Sequence, residues 1–158
     1  MPAFLTSGAK TYIGGVKTPT GEDYIVSDFS GETWVEITGI ESMGSLGDTA
    51  NTTVLQFAGP VRDLTLKGTR SAGSMELVAA IDYADAGQIA LIAAEKSNSN
   101  FAFKVELNDA PSGGTPSERY FVGLVTSAVE TFDGANSVMK MNTSIAIQSN
   151  VVRVAAAA

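Results

Sequence analysis

Few side chains in this sequence have the type and spacing for chemistry. Asp82, Asp85 and Glu95 are three carboxylates close together in the chain, and carboxylates can act as general acids or bases. Asp85, however, stands just before an apolar run, with Gln88 three residues later. That is the spacing of a helix N-cap whose partner reaches back as in a capping box. Capping therefore accounts for Asp85 and Gln88 better than catalysis does. Asp48 with Asn51 lacks the alternating oxygen ligands and closing Glu of a calcium loop. Gly113-Gly114 follows Pro111 with no strand before it and no Lys-Ser/Thr after it, so it does not cradle phosphate. Thr126 and Ser127 fall inside a strand pattern with no base to activate them. The chain has no His and no Cys. The commonest general base and metal ligands are therefore missing, and so is thiolate or disulfide chemistry. No catalytic residue, metal or cofactor is expected, and the protein is read as a non-enzyme.

The composition points the same way. The chain has 158 residues, one domain over 1–158 by the usual prior. Charged residues make up 17%, against about 25% on average. The deficit suggests surface that is covered in the working state; a plain β domain rich in Ser, Thr and Gly is the other account. There are 17 acidic and 10 basic residues, for a net charge of −7. That argues against a basic nucleic-acid groove and an anionic membrane surface, but not against a wall past which DNA slides. The aromatic residues do not interleave with basic ones as stacking platforms do. The N-terminus has no apolar signal core, and no run reaches the length of a membrane span.

The elements that would position any site are mostly strands. Residues 74–81 alternate, with Met75, Leu77, Ala79 and Ile81 on one side. A helix capped by Asp85 covers 86–96, and Asn98 is its expected left-handed stop. Phe101, Phe103, Val105 and Leu107 restore a period of two. Residues 1–23 read as an arm over the surface, and 23–29 as a short strand. Residues 34–40, 52–58 and 62–68 read as strands, the last two interrupted at Gly59-Pro60. Two long strands, 119–132 and 137–150, flank an Asp133-Gly hairpin turn. Residues 151–158 form a C-terminal tail. The loop over 41–52 is rich in turn-formers, yet it carries Met43 and Leu46 beside Asp48. Either these fold back on their own domain, or the loop orders against a neighbour.

The helix is unusual. Its apolar residues cover more than half of the circumference, and Ile92 sits among Gln88, Lys96 and Asp85. A surface helix normally shows one apolar stripe. Burial between two sheets and a subunit contact both explain the pattern.

The order of these pieces resembles a known family. After a strand comes the Gly-Ser loop 44–51, a strand, then Lys67-Gly-Thr-Arg-Ser-Ala-Gly and another strand. Asp85-Ala-Gly-Gln-Ile-Ala-Leu-Ile-Ala-Ala and Phe101-Ala-Phe-Lys-Val follow, then Arg119-Tyr-Phe-Val-Gly-Leu-Val-Thr-Ser and a last strand ending Ser144-Ile-Ala-Ile. From about Trp34 to Val154 the chain is similar to the tail tube protein, or major tail protein, of bacteriophages with long non-contractile tails. The resemblance implies a mainly β (α+β) fold: a β-sandwich with one flanking helix. It implies hexameric rings whose inner sheets close into a β-barrel, stacked into a conduit for DNA. The loop at 41–52, with Met43, Leu46 and Asp48, would then reach the adjacent ring. Implied partners are further copies of the chain and tape-measure, tail terminator and tail tip proteins. DNA would pass without specific binding, and no membrane is involved. The implied location is the virion tail, assembled in the host cytoplasm.

Net acidity suits such a lumen, because each phosphate contact by Lys or Arg would add affinity. Strand alternation nominates Asn142, Ser144 and Gln148, Glu36 with Thr38, and Glu130 with Thr126, as polar faces for the wall. An injection or secretion tube of related fold is the nearest alternative. A monomeric β-sandwich binding module is another, and it would present Trp34 and Tyr120.

Overall fold

The computed structural model describes residues 2–158. In chain order it contains β1 (Lys10–Val16), a 3-10 turn (Val26–Phe29), β2 (Val35–Ile37), β3 (Ile40–Ser42), β4 (Thr49–Leu55) and β5 (Leu64–Ser71). Then come β6 (Ser74–Ala80), α1 (Ala86–Lys96), β7 (Phe101–Glu106), β8 (Glu118–Thr131), β9 (Lys140–Ile147) and β10 (Val152–Val154). One antiparallel sheet has the order β2-β1-β7-β8-β9-β6-β3, with β10 added to β8, while β4 and β5 form a separate hairpin.

β8 joins two groups of strands. Its first half, to Gly123, pairs with β7; from Gly123 to Thr131 it pairs with β9. The β2-β1-β7 group and the β9-β6-β3 group are the two leaves of a sandwich-like arrangement. Alternation places Met75 and Leu77 of β6, Phe103 and Val105 of β7, and Met141 and Ile145 of β9 in one core. Phe103 and Phe121 stack within it at 5.3 Å between ring centroids. The sheet does not close on itself within one chain.

A second, smaller cluster covers the other side of β7 and β8, with Tyr24, Phe29, Tyr120 and Val122 buried. The segment carrying Tyr24 is pinned by Asn150, whose Oδ1 accepts from the Tyr24 N–H at 2.7 Å and whose Nδ2 donates to the Tyr24 carbonyl at 3.0 Å. Trp34 packs at this cluster, and Tyr120 is 9% exposed. Of the two aromatics nominated for a binding platform, Tyr120 is therefore an interior packing group and Trp34 is half-buried against it.

Several local expectations are corrected. Residues 10–16, read as part of an arm, form β1, with Thr11 and Ile13 buried against β7. Weak patterning hid it, because Gly14 and Gly15 fall at a register break. Residues 26–29 form a 3-10 turn rather than a strand. The expected strand at 34–40 is split into β2 and β3, and Gly39 between them has φ +75°. Asn98 is not a left-handed stop: α1 ends at Lys96, and Ser97 is extended. Asp133 does adopt the left-handed conformation, φ +54°, at the turn between β8 and β9.

Candidate functional site

The polar residues nominated around α1 come together as a structural pin. Asp85 Oδ2 accepts from the Gln88 N–H at 2.9 Å, which makes it the N-cap. It also accepts from the Thr38 N–H at 3.2 Å, and Oδ1 accepts from the Thr38 hydroxyl at 2.8 Å. Gln88 is 3% exposed, and its side chain does not return to Asp85. Its Oε1 accepts from the Asp82 N–H at 3.0 Å, and its Nε2 donates to the Thr38 and Ala80 carbonyls at 3.0 and 2.8 Å. One amide thus ties α1 to the β2–β3 link and to the end of β6. This corrects the helix reading: the side carrying Gln88 faces inward, while Ile89 is 54% exposed. Three satisfied hydrogen bonds permit the burial of that amide. Helix and β2 also approach so closely that a Cβ on Gly87 would collide with the Glu36 carbonyl.

The loop at 41–52 is partly absorbed into strands, β3 at one end and β4 at the other. Met43 and Leu46 are half-buried against the main core, and Asp48 is exposed. Gly44, at φ +66°, lies so close to β6 that a Cβ would meet the Glu76 carbonyl oxygen at 2.7 Å. Their own domain therefore covers much of both apolar residues. A cleft of about 320 Å³ remains beside them, lined also by Phe4, Leu5 and Val105.

The uncovered apolar surface lies further along, on the β4–β5 hairpin. Every residue from 51 to 71 is exposed. Val54, Leu55, Phe57, Val61, Leu64 and Leu66 are between 45% and 64% exposed. The pairs Thr53–Leu66 and Leu55–Leu64 set three leucines on one face. The sequence reading found these strands but missed their isolation, which no periodicity reveals.

Of the residues nominated for a lumen wall, Asn142 and Ser144 share the outer face of β9. Asn142 Nδ2 donates to Thr131 Oγ1 at 2.9 Å, and Ser144 Oγ donates to Glu76 Oε1 at 2.8 Å. Lys140, on the same face, is paired with Glu41 at 2.7 Å. Gln148 is exposed just beyond the strand. Glu130 does not belong with them. A bulge between Val125 and Ser127 shifts the register, so Glu130 stands opposite Met141, on the core side of the leaf. Glu36 is on β2 at the far end of the sheet order, paired with Tyr12. Glu76 was overlooked, although Met75 and Leu77 facing inward already implied that it faces outward.

The perturbed titrations belong to packing. Burial, then the charges of Glu106 and Glu36, pushes Tyr12 up to about 12. Burial and the hydrogen bond to Glu118 raise Tyr120. Hydrogen bonds from the Ser117 side chain and backbone hold Asp109 below the usual carboxylate range. None of these groups converges with a second on an open cavity. Among the described residues no group of three or more His, Cys, Asp or Glu is placed to hold a metal ion, and no helix is long and apolar enough to cross a membrane.

Two free edges flank the β9-β6-β3 leaf. β3 has no partner beyond β6 among the described residues. β7 stops at the Phe101–Gly123 pair, so β8 beyond Gly123 is unpaired on that side.

The sequence matches no family model and no curated protein. Solved structures do match the fold. A chain of the anti-feeding prophage baseplate superposes with a TM-score of 0.70 at 13% identity, covering 98% of each chain. A chain of the extracellular contractile injection system PVC sheath–tube complex gives 0.65 at 12% identity, covering 97% of this chain and 92% of that one. The SPP1 tail tube gives 0.63 at 12% identity, covering 97% of this chain and 80% of that one. The chain has the tail-tube fold that these structures share.

Proposed function

We propose that this chain is the repeating subunit of a hollow tube. Six copies join side by side into a ring, and rings stack into a conduit for DNA in a virion tail of the long non-contractile kind. The observation that carries this reading is the pair of free edges on the β9-β6-β3 leaf. An unpaired edge of this length is a hazard for a lone β domain. In a ring, β3 of one copy and the end of β8 in the next would complete each other's ladders and close a barrel. The outer face of that leaf suits a wall for DNA. Glu76, Ser144, Asn142 and Lys140 are already satisfied by partners within the chain, so no free cation is offered to a phosphate. Tape-measure, terminator and tip proteins are the further partners of such a tube, which would assemble in the host cytoplasm.

A related injection tube with another cargo is the second reading. It is favoured by the likeness to the baseplate and sheath–tube chains, whose TM-scores of 0.70 and 0.65 lie beside 0.63 for the SPP1 tail tube. Negative-stain microscopy and sedimentation of purified protein at rising concentration test both. Rings or tubes are expected. Monomer at every concentration would refute them and leave a single-subunit module. Ser144→Lys separates the two cargoes: intact tubes with weakened DNA delivery support the phage reading, whereas unchanged delivery counts against a DNA-repelling wall.

A further inference from the structure

We propose that the base of the β4–β5 hairpin and strand β10 together hold a phosphate group. A cavity of about 270 Å³ lies between them, lined by Asp48, Ala50, Lys67, Arg70, Val151 and Arg153. The site belongs to the single chain and does not depend on the tube reading. A β-bulge brings two of its bases together. Arg70 pairs with Ala50 and Lys67 with Thr52, so a three-residue step on β5 is matched by a two-residue step on β4. Ala50 and Thr52, two apart, share a face, and so therefore do their partners. Plain alternation would have put Lys67 and Arg70 on opposite faces. Asn51 Nδ2 donates to Thr69 Oγ1 at 3.1 Å across the bulge. Bulges of this kind re-aim side chains beside sites.

The third base arrives from β10. Arg153 stands directly opposite Arg119 of β8, and like charges so placed repel. Arg119 shares a face with Val105 of the core, so both arginines belong to the inner side of the sheet, not to the outer face of β9. Arg119 donates to the Glu118 and Val154 carbonyls at 2.9 and 3.4 Å. Arg153 Nη2 lies beside Gly47, where a Cβ would be 3.6 Å from it. No ion pair engages Lys67, Arg70 or Arg153 among the described residues. Arg70 and Asp48 also border an adjoining cleft with Glu22 and Asp23, but neither acid is within ion-pair reach of Arg70.

The charge balance selects the ligand. Three bases against one carboxylate, Asp48, leave the cavity two positive charges in excess, in a chain of net charge −7. A phosphate monoester carries about −1.5 to −2 at pH 7, and guanidinium forks match its oxygens bidentately. The volume falls below the roughly 300–1,000 Å³ of sites for drug-sized ligands, which suits one small anion. The net negative charge of the chain disfavours an extended polyanion such as DNA. A bound phosphate would tie β5 to β10, two elements that no ladder joins.

Phosphorus NMR and calorimetry of the full chain with inorganic phosphate test the site, with ionic strength held constant by sodium chloride. Saturable binding at one site per chain is expected. Arg70→Gln and Arg153→Gln should each weaken it by about tenfold, the loss of one charge-assisted hydrogen bond. Asp48→Asn should tighten it, because a carboxylate facing the anion is removed. Lys10→Gln removes the same charge outside the cavity and should change nothing. All four residues are exposed, so each variant should melt as wild type does without phosphate, and phosphate should raise the melting temperature only where it binds. Adenosine monophosphate separates the sources: equal affinity names a phosphate monoester as the ligand, and weaker binding names free phosphate. No saturable phosphate binding, or binding unchanged by Arg70→Gln and Arg153→Gln, would overturn the site. So would equal weakening by Lys10→Gln, which would report net charge alone. Tighter binding of a short duplex DNA than of phosphate, lost as salt is added, would mark a polyanion surface and overturn it too.

Discussion

Replacing Gln88 by Glu changes almost no volume and isolates what the buried amide does. The Oε1 acceptor for the Asp82 N–H survives the change. The Nε2 donor becomes an oxygen facing the Thr38 and Ala80 carbonyls at 3.0 and 2.8 Å. Two hydrogen bonds turn into oxygen–oxygen repulsions at a site 3% exposed. A buried charge without a partner costs about 3–5 kcal/mol, against about 5–15 kcal/mol for the whole stability of a typical domain. The new carboxyl should therefore resist ionisation, with its folded pKa raised. A raised folded value means the stability is present below the unfolded pKa and lost as pH rises through the folded one. Denaturant melts of Gln88→Glu should thus approach wild type in acid and fall well short at pH 7. A variant within about 1 kcal/mol of wild type at pH 7, or a deficit independent of pH, would refute the pin.

Asp85→Ala should cost about 2 kcal/mol, the cap plus the two bonds from Thr38, and Asp85→Asn less, since one acceptor oxygen remains; thermal melts decide it. Met43→Ser with Leu46→Ser should lower stability by about 1–2 kcal/mol per site; unchanged melting with lost assembly would return these residues to the neighbour alone. Tyr12 is held neutral in the folded state up to about 12 against an ordinary 10.0, so its contribution is full below pH 10 and fades as pH rises through its folded value. Tyr12→Phe should flatten that alkaline loss in a pH series of melts.

The regular elements were legible where one period ran unbroken. β6 and β7 alternate cleanly, the Asp85 cap sits just before the apolar run, and the Asp133 turn carries its own dipeptide signal. Reading failed where a break changed phase. The bulge at Val125–Ser127 moved Glu130 to the other face. Gly14-Gly15 masked β1, and Gly39 divided one expected strand into two. Glu36 and Ser144 each lie on a polar face, but sheet order sets them strands apart, and no single-strand pattern encodes that order. Gln88 looked like a surface residue because its burial depends on carbonyls of Thr38 and Ala80, the first of them distant in sequence. The hairpin's isolation is likewise a statement about contacts that do not exist, which neither composition nor periodicity records.

The two kinds of uncovered surface point in different directions, and that permits them to be separated. Sheet hydrogen bonds run across the strands, so joining β3 to β8 extends the assembly sideways. The β4–β5 hairpin leaves the leaf at one end of its strands, so a contact made through it extends the assembly along the strands. In a barrel the strands tilt by about 35–45° from the axis, which still leaves one contact mainly lateral and the other mainly axial. Leu55→Ser with Leu64→Ser, two exposed residues paired on one face of the hairpin, should therefore leave rings that fail to stack. Proline at Glu41 within the exposed β3 edge should block the ring itself, because proline cannot donate to a ladder. Sedimentation gives the size of each species and microscopy its shape. Rings from the β3 variant, or monomers from the double leucine variant, would show that edges and ends are not independent joints.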